Sequence, residues 1–155
     1  MNKVLIALDY DPTAQQVAGT GFSMAKAMHA EITLLHVISD PLYYSSVEYS
    51  PITGLTDSLG VDPLLFNGDN RLKEVSMHFL ETIKHNLGDT SIKLLVKEGE
   101  FAETILKTAH SQKTDIIVVG SHSHKWLENI LLGSVSEKVL NHTLIPVLIV
   151  PTRKK

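Results

Sequence analysis

The segment "DIIVVGSHSHKWLENILLGSVSEKVLNHTLIPVLIVP", residues 115–151, contains the pattern that decides the fold. It begins with an apolar run that ends at Gly120 and closes with a second apolar run at 145–151. Between the two runs, Gly-Ser-Val-Ser at 133–136 opens a stretch with helical spacing over 134–141. Both runs are nearly continuous instead of alternating, as is typical of strands covered on both faces. The segment therefore predicts a strand–helix–strand unit of a parallel sheet.

The rest of the chain continues this alternation of strands and helices. Strands are predicted at "KVLIALD" (3–9), "EITLLHVI" (31–38), "SIKLLVKEG" (91–99), "DIIVVGS" (115–121) and "IPVLIVP" (145–151). Helical spacing is present over 13–28, 70–87, 100–110 and 134–141, and Gly88 is a suitable stop for the second of these helices. The strand at 91–99 alternates more than the others and is expected nearer an edge. This order predicts an α/β fold, an open five-stranded parallel sheet with helices on both faces.

Length and composition indicate an ordinary globular protein. The 155 residues, 43% hydrophobic and 20% charged, are expected to form a single domain over 1–155. The net charge of −3 and the lack of a basic face give no reason to expect nucleic acid as a partner. The apolar stretch before Asp9 is too short for a signal peptide or a membrane span, and there is no cysteine. A cytoplasmic location without membrane contact is therefore expected.

One long segment, residues 39–69, interrupts the alternation. It holds three prolines and several Gly and Ser residues, and it far exceeds the usual connection of about 4–6 residues. One interpretation is a surface insertion. The other is a lid or a partner-binding segment, for which Tyr43, Tyr44, Leu64, Leu65 and Phe66 would serve as anchors.

The ends of two predicted strands indicate where a ligand site would lie. Ligands of open parallel sheets bind at the carboxyl ends of strands, where the winding direction reverses. If the sheet winds outward from the first strand and then returns, Asp9 and Gly120 flank that position. Gly120 and Gly133 allow backbone N–H groups to approach an anion, and the N-terminus of the helix at 134 favours a phosphate.

An alternative without a ligand explains the same residues. Ser134 and Glu137 have the spacing of a capping box, so that Ser134 would simply cap its own helix. The loop also matches neither a Walker motif nor G-x-G-x-x-G. From the residues alone, the two interpretations stay open.

Four segments carry a resemblance to a known family: "KVLIALDYDPTAQQVA", "AEITLLHVI", "KEGEFAETILKTA" and "TDIIVVGSHSHKWLENILLGSVSEKVLNHTLIPVLIVP". With these segments the chain resembles the universal stress proteins over nearly its whole length. The nucleotide-binding branch of that family carries Gly, two residues, Gly, nine residues and then Gly-Ser or Gly-Thr. Gly120 and the pair Gly133-Ser134 match this spacing, whereas Ser123 stands where the second glycine belongs. If that position needs a positive φ, Ser costs steric strain there that Gly avoids.

The resemblance implies a fold, a ligand and an assembly. The fold is the adenine nucleotide alpha hydrolase-like sheet of order 3-2-1-4-5. The ligand is ATP, or AMP or ADP, with Mg²⁺ held through the phosphates. The implied nucleotide-binding residues are Asp9 and Val37 at the adenine and ribose end, Val119, Gly120, His122 and the substituted Ser123 in the middle, and Gly133, Ser134, Val135 and Ser136 at the phosphates. The family's dimers pair through the last strand, here Pro146–Pro151, which implies a homodimer.

Three hypotheses for the function stay open. The first is a regulatory protein of the stress response that binds an adenine nucleotide, acts as a homodimer and is read by an unknown protein partner. The second is a slow ATPase with His122 or His124 as base, although no arrangement of base and orienting group is evident and no catalytic residue is assigned. The third is a dimeric interaction module without nucleotide, which Ser123 leaves open.

The histidines predict no metal site held by protein side chains. No carboxylate or cysteine lies near His122 and His124 to complete a ligand set. His78 and His85 are predicted on a helix surface, and His36 is predicted to be a buried, hydrogen-bonded residue of the second strand.

Overall fold

The computed structural model describes residues 2–39, 69–121 and 134–152, and for Asp69, Asn70 and Ser134 it describes the backbone alone. Its elements, in chain order, are β1 (Lys3–Ala7), α1 (Ala14–Ala27), β2 (Glu31–Ile38), α2 (Asp69–Leu87), β3 (Lys93–Glu98), α3 (Phe101–Ser111), β4 (Ile116–Gly120), α4 (Ser134–His142) and β5 (Val147–Val150). The interpretations offered for 39–69 concern residues 40–68, which lie outside the described part.

All five strands pair in parallel in the order β3-β2-β1-β4-β5. This confirms the predicted fold class and strand order. β5 is shorter than predicted because prolines flank it and have no N–H to donate to a ladder. Pro146 still accepts a hydrogen bond through its carbonyl from Ile117 N–H at 2.9 Å. Pairing also continues past β1, where Leu8 N–H donates to the Leu35 carbonyl at 2.8 Å.

Apolar side chains cover both faces of the sheet. Val4 and Ile6 of β1 belong to a core cluster with α1 and α2, whereas Leu5 and Ala7 belong to a second cluster with α3 and α4. Leu5 and Ile6 are fully buried, and burying each such side chain contributes about 1.5–3 kcal/mol relative to exposure. The continuous apolar runs of the central strands follow from this cover on both sides.

The helices begin and end at recognisable residues. The Glu100 carboxylate caps α3 by accepting a hydrogen bond from Glu103 N–H at 2.7 Å, and it also pairs with Lys138 of α4 at 3.2 Å. α2 is followed by Gly88 at φ 74°, which confirms the predicted stop. Of the helices in the described ranges, none combines the length and the apolar character needed to cross a membrane.

The two edge strands differ in character. β3 lies at one edge, as predicted, and carries exposed charges at Lys93, Lys97 and Glu98. Charged side chains on an edge discourage pairing with another chain. β5, at the other edge, is wholly apolar and only partly buried at Val147–Ile149. An apolar edge of this kind is suited to pairing with a second strand.

Candidate functional site

A cleft lies at the carboxyl ends of β1 and β4, where the winding of the sheet reverses. The chain runs outward from β1 to β2 and β3, then returns to place β4 on the other side of β1. The cleft encloses about 660 Å³ of empty space, counting the part that opens to solvent. The lining residues are Ala7, Leu8, Asp9, Asp11, Thr13, Ala14, Val17, Leu35, Val37, Phe101, Ile105, Val119, Gly120, Val135, Ser136 and Thr152. This is the position that the switch-point rule predicts for a ligand.

The structure brings six of the predicted site residues together in this cleft: Asp9, Val37, Val119, Gly120, Val135 and Ser136. His122, Ser123 and Gly133 lie outside the described residues, as does His124. Ser134 is the first residue of α4, but its side chain is not among those described, so the predicted capping box stays a prediction. The contacts of all ten residues with a nucleotide also stay predictions.

Gly120 is in close contact with the elements on both sides of it. A Cβ on this residue would lie 3.1 Å from Val17 Cγ2 and 3.1 Å from Thr152 Cγ2. The Ser136 hydroxyl donates to the Gly120 carbonyl at 2.6 Å and so ties α4 to the end of β4. The hydrogen of this hydroxyl is therefore committed, and the group can donate to a phosphate only by giving up that bond. Packing alone thus gives a reason for glycine at 120.

Thr152 is a lining residue that the sequence analysis missed. Ser121 N–H donates to the Val150 carbonyl at 2.9 Å, and Thr152 N–H donates back to Ser121 Oγ at 3.0 Å. These bonds hold the chain after β5 against the end of β4. All carboxyl ends of a parallel sheet meet at one edge, and this rule pointed to the residues after β5 as well.

The loop between β1 and α1 brings two carboxylates to the cleft. Asp9 Oδ1 accepts a hydrogen bond from Tyr10 N–H at 2.8 Å. Asp11 Oδ1 accepts from Thr13 N–H at 2.8 Å and from Thr13 Oγ1 at 2.6 Å. This is a turn in which an Asp side chain bonds the backbone two residues on. Asp11 was not predicted as a site residue.

His36 fixes the start of that loop. Its ring is buried, and Nδ1 lies 2.9 Å from the Leu8 carbonyl, which accepts the hydrogen bond when Nδ1 carries the proton. This confirms the prediction of a buried, hydrogen-bonded histidine. The ring also meets Phe79 edge-on, with 5.7 Å between centroids. Burial lowers the pKa of His36 below the ordinary 6.5, against the opposing effects of the Leu8 bond and the Asp9 charge.

Because of His36, the free energy of unfolding is expected to decrease as the pH is lowered. Below pH 6.5 the unfolded chain takes up a proton on this residue, while the folded chain keeps it neutral because its folded-state pKa is lower. The unfolded state then binds more protons, so one such group lowers the free energy of unfolding by up to about 1.4 kcal/mol per pH unit. His36→Asn retains an amide donor but does not titrate. Urea unfolding between pH 7 and pH 5 should show the parent losing its stability advantage over this variant. A constant difference across that range would contradict the assignment.

The predicted surface positions of His78 and His85 are confirmed, since both side chains are exposed on α2. Within the described ranges, no three His, Cys, Asp or Glu side chains are grouped closely enough to hold a metal ion.

Comparison with known proteins agrees with this architecture. A sequence model described as the universal stress protein family matches residues 1–151. Universal stress protein MJ0577 of Methanocaldococcus jannaschii is 33% identical over 152 residues, which cover 96% of this chain and 93% of that protein. Universal stress protein YxiE of Bacillus subtilis is 30% identical over 151 residues, which cover 96% and 98% of the two chains.

Solved structures show the same fold. The structure of MJ0577 superposes with a TM-score of 0.72 at 30% identity, covering 99% of this chain and 98% of that one. A universal stress protein crystallised in complex with cAMP has a TM-score of 0.60 at 19% identity, covering 96% and 95%. The resemblance seen in the sequence is thereby confirmed, and the chain belongs to the universal stress protein family.

Proposed function

We propose that this protein binds an adenine nucleotide, ATP, ADP or AMP, in the cleft at the ends of β1 and β4. It acts as a homodimeric regulator of the stress response, and a protein partner reads its nucleotide state. The observation that carries the proposal is the convergence of Asp9, Val37, Val119, Gly120, Val135 and Ser136 on one cleft. These residues come from three separate elements, β2, β4 and α4, and from the loop after β1, and they are six of the ten that the family resemblance implies.

The lining of the cleft suits the base of a nucleotide at the β2 end and its phosphates at the β4 end. At the β2 end the lining is apolar, with Leu35, Val37, Phe101 and Ile105, as a flat base requires. At the β4 end the lining is Gly120 and the first turn of α4. The N–H groups of a helix N-terminus and the positive end of its dipole favour a phosphate.

Of the two helix N-termini on this face of the sheet, that of α3 is already used by a carboxylate. The Glu100 side chain caps α3 and lies 2.7 Å from Glu103 N–H, whereas no described carboxylate accepts from the first turn of α4. An anion is therefore better placed at α4. A Mg²⁺ ion would be held by the phosphates and water.

The relatives support the class of ligand. The universal stress protein crystallised with cAMP shares this fold and holds an adenine nucleotide.

The homodimer is proposed from the apolar edge at β5, which lies within the predicted interface Pro146–Pro151. A cytoplasmic location is proposed because the chain has no cysteine. The proposal also includes a single domain over 1–155, in which residues 39–69 are an insertion.

Thermal unfolding with and without nucleotide tests the binding. ATP at a hundred times its dissociation constant is expected to stabilise the folded protein by about 2.7 kcal/mol, which appears as a clear rise in Tm. CTP at the same concentration is the matched control for phosphate binding without an adenine base. If ATP, ADP and AMP, each with Mg²⁺, leave Tm unchanged, the proposal fails, and the protein is better studied as a dimeric interaction module.

A further inference from the structure

We infer that Asp11 selects the ribose of the bound nucleotide: its carboxylate accepts a hydrogen bond from a ribose hydroxyl and rejects rings that carry a 2′- or 3′-phosphate. The inference rests on the proposed function, because it assumes that a nucleotide occupies the cleft. It assigns a specificity role to a residue that the motif of the family does not include.

The order of the strands places the ribose beside Asp11. β2, β1 and β4 are consecutive in the sheet, and neighbouring strands lie about 4.8 Å apart. With the base on the apolar lining at the β2 end and the phosphates at the β4 end, the sugar between them lies at the end of β1. Asp9 and Asp11 are the two acidic residues in the loop that follows β1, and both line the cleft.

The Asp11 carboxylate is held in one orientation before any ligand arrives. Oδ1 accepts two hydrogen bonds from Thr13, at 2.8 Å from the backbone N–H and at 2.6 Å from Oγ1. Of the described residues, only Thr13 donates to this carboxylate, and both bonds go to Oδ1. Oδ2 therefore retains its capacity to accept a hydrogen bond from a hydroxyl. Moving this carboxylate aside to make room for a second anion would cost the two bonds from Thr13.

The charges around the cleft make a ribose phosphate unfavourable. Asp9 and Asp11 both lie on the β1 side, and none of the described lining residues is Lys, Arg or His. A phosphate on the ribose would face two carboxylates without a described cation to offset the repulsion. In dinucleotide-binding sheets an acidic residue makes the same distinction, because it accepts from a 2′-hydroxyl and disfavours a 2′-phosphate.

Calorimetric titration of the full-length protein tests the inference with AMP, adenosine 2′,5′-bisphosphate and adenosine 3′,5′-bisphosphate. The parent is expected to bind both bisphosphates at least about tenfold more weakly than AMP. Asp11→Asn keeps an oxygen for the two Thr13 bonds but removes the charge. It should narrow the gap in affinity between AMP and the bisphosphates by about tenfold, mainly because the bisphosphates bind more tightly. Glu81→Gln, on the exposed surface of α2, removes the same charge outside the cleft and should leave the gap unchanged.

Each outcome bears on the inference. A narrowed gap in Asp11→Asn and an unchanged gap in Glu81→Gln support it. If the parent binds AMP and the bisphosphates equally, or if Asp11→Asn keeps the full gap, the inference is overturned while nucleotide binding stands. If the parent binds none of these ligands and no ATP, the proposed function falls together with it. Asp11→Ser, whose hydroxyl can form a similar turn, is the second variant should Asp11→Asn unfold, and the same narrowing is expected of it.

Discussion

Gly21→Val is expected to destabilise the protein by about 3 kcal/mol, the upper end of the usual cost of overpacking a core. Gly21 lies in α1 where the helix meets the sheet. A Cβ there would lie 2.8 Å from Ile6 Cδ1 and 3.2 Å from Val118 Cγ1. Ile6 and Val118 are both fully buried, so neither can move away without displacing its own neighbours. The two further methyl groups of valine add to this overlap, and the helix must move off the sheet.

Gly19→Val is the matched control, because it makes the same change two residues earlier in the same helix. A Cβ at Gly19 meets no atom within 4 Å. Since Gly is a poor helix former, this variant should be about as stable as the parent or a few tenths of a kcal/mol more stable. Urea unfolding measures both, and the denaturant slope should stay constant while the midpoint of Gly21→Val falls. Equal midpoints for the two variants would show that α1 does not approach the sheet as closely as described.

Gly120→Val is expected to weaken the binding of ATP by about a hundredfold, which corresponds to about 2.7 kcal/mol. The Cβ at this position lies between Val17 and Thr152, each with a methyl carbon at 3.1 Å. Gly120 and both neighbours line the cleft, so the added methyl groups, or the neighbours that they displace, are expected to narrow the space proposed for the phosphates. Titration calorimetry on the folded variant gives the change in affinity. A variant that stays folded and binds ATP as tightly as the parent would place the nucleotide elsewhere.

The cost of packing at Gly120 can be separated from the loss of binding. Gly120→Ala adds the Cβ alone and should lower the free energy of unfolding by about 1 kcal/mol. Thr152→Ser removes Cγ2, the methyl that this Cβ meets, but keeps the hydroxyl that lies 3.3 Å from Ser121 Oγ. Combining Thr152→Ser with Gly120→Ala should therefore cost less than the two single changes together. Additive costs would mean that the Thr152 methyl is not the obstacle.

Much of the fold follows from the pattern of apolar residues. Strands buried on both faces read as continuous apolar runs, which is why β2 was predicted with its correct bounds and β1 and β4 to within two residues. Apolar and polar residues alternate more in β3 because its edge position leaves it less covered. This alternation gave the correct prediction of an edge strand. The strand order needed more than periodicity, since no local pattern records which strand lies beside which. It came from the family resemblance and agreed with the reversal of winding.

The candidate site was predicted in part, and the missed residues share a cause. Asp9 and Gly120 were found because they lie at the ends of the two predicted strands that flank the reversal. Asp11 was missed because the switch-point argument named only the last residue of the predicted strand, and Asp11 lies two residues beyond it in the loop. Thr152 was missed because the cleft extends to the end of β5, two strands away from β1. Which side chains a turn or a strand end directs into a cleft depends on tertiary packing, and sequence spacing does not encode it.

The central place of β1 in the sheet has a consequence for how the protein is made. β1 forms one ladder with β2, close in sequence, and the other with residues 116–118 of β4. On a ribosome, which adds residues from the N-terminus, the first ladder can close long before the partner for the second has been synthesised. Until then the nascent chain carries an apolar strand with one unpaired edge in the middle of its future core. Completion of the sheet is thus a late, non-local step, and it sets a slow pace for folding. A ribosome that stalls before β4 emerges leaves a product prone to associate through that edge.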